Sequence, residues 1–189
     1  MSTQPATFLT PEQYLEIERK AEYKSEYYQG EMFALAGVRE AHNLLVVNLI
    51  LTLGQQLFER PCRLYPSDMR VMTPAGLYTY PDVSAVWVEP RFADNSFDIL
   101  LNPGLIVEVL SPSTEAYDRG RKAEQYRAIE SLTDYLLVAS DRMHVELLTR
   151  QASGSWLLRE SSRTDESIEL QSIDCRIALS ALYHKIDLS

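Results

Sequence analysis

The sequence predicts an α/β protein in which helices flank a mixed central sheet, in the order helix, three strands, helix, strand. Three observations predict it. Leu45, Leu49, Leu53 and Leu57 recur every four residues, and Val46, Ile50 and Phe58 widen the stripe, as on the buried face of a long helix over 40–59. Leu105-Ile-Val-Glu-Val-Leu110 is aliphatic but for one residue, the composition of a strand covered on both faces. A second helical stretch (117–130) separates that run from another apolar one, Tyr135–Ala139, and two apolar strands around one helix imply a parallel pair joined by a right-handed crossover.

The remaining elements follow in chain order. Thr10-Pro-Glu-Gln13 has the form of a helix start, with Thr as cap, Pro in the first position and Gln three residues after the cap, so a short helix is expected to about Lys20. Glu26 to Gly37 reads as a strand or hairpin broken at Gly30 and Gly37. After Pro61 closes the long helix, three strands are expected at Arg63–Met72, Tyr80–Glu89 and Leu105–Leu110, with Thr73-Pro-Ala-Gly76 turning between the first two. Three consecutive strands imply an antiparallel part, hence a mixed sheet. A hairpin is expected over His144–Arg150 and Trp156–Glu160, turning at Ser153-Gly154, and a short helix near Ala178–Lys185. With no internal repeat and no linker, the 189 residues read as a single domain over 1–189, long enough for a continuous core.

Composition bounds the function. The start lacks the cationic and apolar regions of a signal peptide, and the most apolar stretch, Leu44–Leu53, is far shorter than the ~20 residues of a membrane span. Cys62 and Cys175 stand singly and far apart, so neither a zinc knuckle nor a disulfide framework is indicated, and a cytoplasmic protein with reduced thiols is expected. A net charge of −9, from 18 basic and 27 acidic residues, opposes a tight non-specific grip on nucleic acid, so any DNA face must be local. Arg119, Arg121, Lys122 and Arg127 form the densest basic group. There is no Gly-rich phosphate loop, no nucleophile elbow and no His-Glu-x-x-His, and Ser111 has no evident base.

Two carboxylates sit where carboxylates are costly. Glu108 interrupts an otherwise aliphatic strand just before Ser111-Pro112, and an ionised acid there must be paired, hydrogen-bonded or metal-bound. An exposed edge, or a single Arg partner, would also satisfy it. Asp82 follows Pro81 at the mouth of the apolar run Val83–Val88; alone it reads as a turn residue, but one acid on each of two adjacent strands can gather oxygens around a hard divalent cation. Lys122 is either a solvated helix lysine or, if its helix packs over the strand of Glu108, a group that positions water or neutralises a phosphate. Tyr126, one turn on, shares its face. Glu31, after Gly30, and His42, opening the long helix, say less by themselves.

Taken together, Pro81-Asp82, Glu108-Val-Leu-Ser-Pro-Ser-Thr114, Asp118-Arg-Gly-Arg-Lys122 and Tyr126 resemble the Uma-two family of restriction endonucleases, assigned to the PD-(D/E)XK nuclease superfamily. The resemblance extends to Glu26-Tyr-Tyr-Gln-Gly-Glu31, His42-Asn43, Tyr65-Pro-Ser-Asp-Met-Arg70 and Leu136-Leu-Val138, and so covers nearly the whole chain. It implies a restriction-endonuclease-like core with the element order read above. It further implies metal ligation by Asp82 and Glu108 with the backbone carbonyl of Val109 in support, Glu31 as an additional metal-site acid, and His42 as its neighbour. The superfamily's lysine falls at Leu110 here, and the resemblance implies a migrated lysine at Lys122. The expected activity is metal-dependent endonuclease hydrolysis of DNA phosphodiesters with magnesium or manganese, carried by Asp82, Glu108, Lys122 and Glu31, with a homodimer suited to cutting both strands. The rival expectations are a catalytically inactive nuclease-fold protein acting as a binding or regulatory module, and glycoside hydrolysis by the carboxylate pair.

Overall fold

A computed structural model describes residues 8–188. Helix α1 (Pro11–Glu18) begins at Thr10 with a reciprocal capping box: the Thr10 hydroxyl accepts from the Gln13 N–H, and the Gln13 side chain accepts from the Thr10 N–H. The predicted hairpin forms as β1 (Ser25–Tyr28) and β2 (Glu31–Ala34), with Gly30 at φ +92° in the turn, a conformation that L side chains resist. The long helix α2 spans Glu40–Leu57, and its stripe of four leucines is buried.

Three more strands follow as β3 (Arg63–Pro66), β4 (Arg70–Met72) and β5 (Tyr78–Thr79), then β6 (Val83–Val86), β7 (Ile99–Leu100) and β8 (Leu105–Leu110). The second helical stretch comprises α3 (Glu115–Tyr117), a π-helical turn (Asp118–Lys122) and α4 (Ala123–Arg127). Strands β9 (Asp134–Ala139), β10 (Val145–Arg150), β11 (Trp156–Ser161), β12 (Ser167–Leu170) and β13 (Cys175–Ala178) precede α5 (Leu179–Leu182).

The central sheet has the order β11-β10-β9-β8-β6-β3 and is mixed as expected: β8 and β9 run parallel, and the other neighbours are antiparallel. A second sheet, β2-β1-β5-β4-β7, carries the hairpin, and β12–β13 form a separate pair. Alternation along β8 divides the core. Leu105, Val107 and Val109 pack with the α2 leucines and the C-terminal elements, whereas Ile106 and Leu110 pack with Tyr126 and Ile129 around α4 and with Tyr135 of β9. Glu108 shares the second face. Arg150 ties the end of α4 in place, its guanidinium donating to the carbonyls of Arg127, Ile129 and Leu132 at 2.8 Å each.

Several details depart from the sequence reading. The strand expected over Arg63–Met72 is two strands in two different sheets, because Pro66-Ser-Asp-Met69 makes a turn closed by the Met69 N–H on the Pro66 carbonyl (3.1 Å). The helix expected over 117–130 is interrupted by one π turn, in which the Ala123 N–H donates to the Asp118 carbonyl five residues back. That carbonyl also accepts the Tyr135 hydroxyl at 3.0 Å. The C-terminal helix is only four residues long, and β12–β13 fill the segment before it; short β5 and β7 also gave no legible pattern.

Gly104, just before β8, anchors that strand. Its N–H donates to the Ala85 carbonyl (2.8 Å), its own carbonyl accepts from Thr133 and Asp134, and a Cβ here would lie 2.1 Å from the Trp87 ring. Gly104→Ala should therefore destabilise the fold by about 1–3 kcal/mol through overpacking. At roughly 2–4 °C per kcal/mol for a chain of this size, thermal unfolding should show a melting temperature several degrees lower. An unchanged melting temperature would show that Trp87 moves aside freely.

Candidate active site

The carboxyl end of β8 and the mouth of β6 open onto one cleft of about 350 Å³, which α2 and the π turn flank. Pairing places the acids. Strand β6 runs antiparallel to β8 with Val83 opposite Val107, so one step further sets Asp82 beside Glu108 and Val109. The Val109 N–H donates to Asp82 Oδ2 at 2.7 Å. On the other carboxylate oxygen, His42 Nε2 from the first turn of α2 lies 3.2 Å away, while His42 Nδ1 is buried without a hydrogen-bond partner.

Glu108 is tied from the opposite direction. The Tyr126 hydroxyl donates to its Oε1 at 2.7 Å and Lys122 Nζ lies 2.9 Å from the same oxygen; Oε2 takes neither contact. Lys122 is 5% exposed, so the reading of it as a solvated helix residue does not hold. Its ammonium also meets Glu26 Oε1 of β1 at 3.1 Å and Asp118 Oδ1 at 3.6 Å. Glu26 is fixed in turn by the Thr79 hydroxyl on Oε1 and the Tyr117 hydroxyl on Oε2 (3.2 Å).

One ammonium thus faces three buried carboxyl groups, with a fourth at Asp82. Burial pushes Glu108 up to about 8 against the pull of Lys122, and Asp118 is raised by burial as well. Lys122 loses hydration too, but Glu108, Tyr126, Glu26 and Asp118 outweigh that loss and hold it well above its ordinary value. Burial and the adjacent Glu108 likewise keep the Tyr126 phenol protonated, as a donor. The cleft therefore has more acid than cation, and carboxylate oxygens predominate among the groups that could hold a cation in it.

Of the residues expected from sequence, Asp82, Glu108, Lys122, His42 and Val109 line this cleft, and Tyr126 underlies it. Glu31 does not. It opens β2 opposite Tyr28 at the exposed tip of the hairpin, two pairs beyond the Glu26–Phe33 pair, so the carboxylate that reaches Lys122 is Glu26. Sequence reasoning also missed Asp118, although its i,i+4 spacing from Lys122 was a usable signal. Glu26 carried none, because a buried acid in Ser-Glu-Tyr-Tyr shows no break in an aliphatic run. Elsewhere among the described residues, His144, Glu146 and Glu160 bring donor atoms within 4.8 Å of one another on the β10–β11 hairpin, but Arg119 already pairs with Glu146.

Comparison with known proteins adds to this geometry. The chain is 37% identical over 180 residues to "Uncharacterized protein slr1290" of Synechocystis sp. (strain ATCC 27184 / PCC 6803 / Kazusa), covering 95% of this chain and 93% of that one. It is 38% identical over 162 residues to "Uncharacterized protein sll1609" of the same organism, covering 85% and 92%. Its fold resembles a crystal structure from Anabaena variabilis ATCC 29413, described as a "putative nuclease belonging to DUF820", with a TM-score of 0.75, 16% identity and coverage of 93% and 97%. A family model described as "Putative restriction endonuclease" matches residues 11–180, and the chain belongs to that family, Uma2.

Proposed function

We propose that the protein is an endonuclease that hydrolyses DNA phosphodiester bonds with magnesium or manganese, held by Asp82 and Glu108 with the Val109 carbonyl in support. What supports the reading most is the meeting of Asp82, Glu108 and Lys122 in one cleft that has a surplus of carboxylates. Two carboxylates and a backbone carbonyl are oxygen donors, which suit hard cations of this class. Bound there, such an ion supplies Lewis-acid polarisation of a phosphoryl oxygen and an acidified water.

The protein's own groups divide the remaining work. Lys122 is the cation held at the floor of the cleft, and its part is to stabilise the negative charge that develops on the phosphate. Glu26 and Asp118 hold its ammonium in place, as positioning residues. His42 and the Val109 N–H fix the orientation of Asp82, and Tyr126 fixes Glu108. Lys24 lines the same cleft, and Arg39 its continuation past Ser111–Thr114, where each can meet a phosphate without a broad basic surface. A second copy of the chain would place two such clefts on the two strands of a duplex.

The test is cleavage of plasmid and single-stranded DNA with manganese or magnesium. Lys122→Met keeps the apolar stem and removes the charge, so turnover should fall by roughly 10²–10³-fold, the effect of losing one preorganised donor. Metal binding should persist, because the ligands remain. The same change leaves the acids around it unneutralised, so the metal-free protein should lose about 3–5 kcal/mol of stability. A variant that cuts at the wild-type rate would remove Lys122 from the chemistry. Wild-type protein that binds DNA but cuts it with neither metal would favour the inactive binding module instead.

The hairpin separates two acids. Glu26→Gln weakens the grip on Lys122 and should lower the cleavage rate, whereas Glu31→Gln, at the exposed hairpin tip, should leave it unchanged. The opposite ranking would restore Glu31 to the site and contradict this placement.

A further inference from the structure

Beside the catalytic cleft lies a second cavity of about 360 Å³ that the proposed chemistry does not use. Two faces build it. On the hairpin, Glu26 pairs with Phe33 across the strands, and Tyr28 stands two residues along on the same face. On the helical stretch, Tyr117, Arg121 and Gln125 recur every four residues, directly beside the stripe Asp118, Lys122 and Tyr126 that serves the cleft. One helical segment thus presents adjoining stripes to two sites. Glu26 is the wall between them: its Oε1 meets Lys122, and its Oε2 accepts from Tyr117 inside the second cavity.

The lining has a definite chemistry. Phe33 is 47% exposed, an unusual position for a phenylalanine, and Tyr28 and Tyr117 add two further rings. The Arg121 guanidinium carbon lies 5.3 Å from the centroid of the Tyr28 ring, a stacking arrangement. The Gln125 amide is held in place, its Nε2 donating to the Tyr28 hydroxyl at 3.4 Å and its Oε1 accepting from the Thr73 hydroxyl at 3.1 Å, and it keeps a second N–H and a second lone pair in one plane. One arginine beside one glutamate makes no cage for a phosphate. Flat aromatic walls, a guanidinium and a planar amide suit a neutral, planar heterocycle with hydrogen-bonding edges.

We infer that this cavity takes one unstacked base of the DNA strand whose phosphate lies in the neighbouring cleft. The inference rests on the reading of that cleft as a phosphodiester site, because a base and its phosphate are one sugar apart and the two sites adjoin through the contact of Glu26, which lines the cavity, with Lys122, which lines the cleft. The substrate must then present an unpaired or extruded base, which makes single strands, or duplexes that open locally, the preferred class.

Fluorescence anisotropy in EDTA tests this without cleavage, comparing a thymidine 12-mer with an abasic 12-mer of equal charge. Wild-type protein should bind the base-bearing strand about tenfold tighter, within the range known for base stacking on aromatic side chains. Phe33→Ala and Tyr28→Leu should each close most of that gap while keeping the weak affinity for the abasic strand; thermal unfolding checks that each variant is folded. Equal affinity of wild type for the two strands would overturn the inference, and so would a gap that survives both substitutions. The outcomes separate from those for cleavage. A base preference with no metal-dependent cutting would fail the nuclease reading alone, and metal-dependent cutting with no base preference would fail the pocket alone.

Discussion

The structure depends on a single buried ammonium. Lys122 comes from the helical stretch, and its three carboxyl partners come from elsewhere or from one turn away: Glu26 from β1 of the small sheet, Glu108 from β8 of the central sheet, and Asp118 from the π turn. A lysine without its hydration is costly unless paired, and an unpaired acid in that position is costly as well. The charges therefore join the two sheets and the helix at one point, which is also where the cleft opens. The π turn belongs to the same constraint. It carries both Asp118 and Lys122, and Tyr135 of β9 takes up its extra carbonyl capacity.

On the proposed function, the cluster also accounts for how an acidic protein would act on an acidic polymer. A single cation among four carboxyl groups is the electrostatic inverse of a phosphate-binding patch, so without another positive charge the cleft itself would add little to DNA affinity. A divalent ion between Asp82 and Glu108 would reverse the local sign while the rest of the surface stayed acidic. Affinity would then reside in the cleft and its aromatic neighbour rather than in a broad basic face, as the net charge of −9 requires.

Much of this was legible in the sequence, and the reasons are specific. The leucine stripe of α2 and the aliphatic β8 and β9 announce themselves because burial on one helix face or on both sheet faces imposes a strict composition. Glu108 was conspicuous for the same reason, as a charge in a run that excludes charge. Asp82 became informative once strand order placed it beside Glu108. Glu26 was not legible because its strand is short and mixed, and only the Glu26–Phe33 register shows which hairpin acid points inward. The switch of β3 and β4 between sheets was hidden because a strand pattern does not name its partner, and the π turn because its spacing differs from an α-helix by one residue. The aromatic cavity draws on β1, β2 and the helical stretch, which are close only after folding.

The proposed chemistry turns on whether the carboxylates of Asp82 and Glu108 together hold a divalent metal. Manganese can be located directly by its anomalous scattering in crystals grown with the ion. A single strong anomalous peak is expected between the Asp82 and Glu108 carboxylates, absent in crystals of Asp82→Asn. A peak at His144, Glu146 and Glu160 with none at Asp82 and Glu108 would contradict that chemistry.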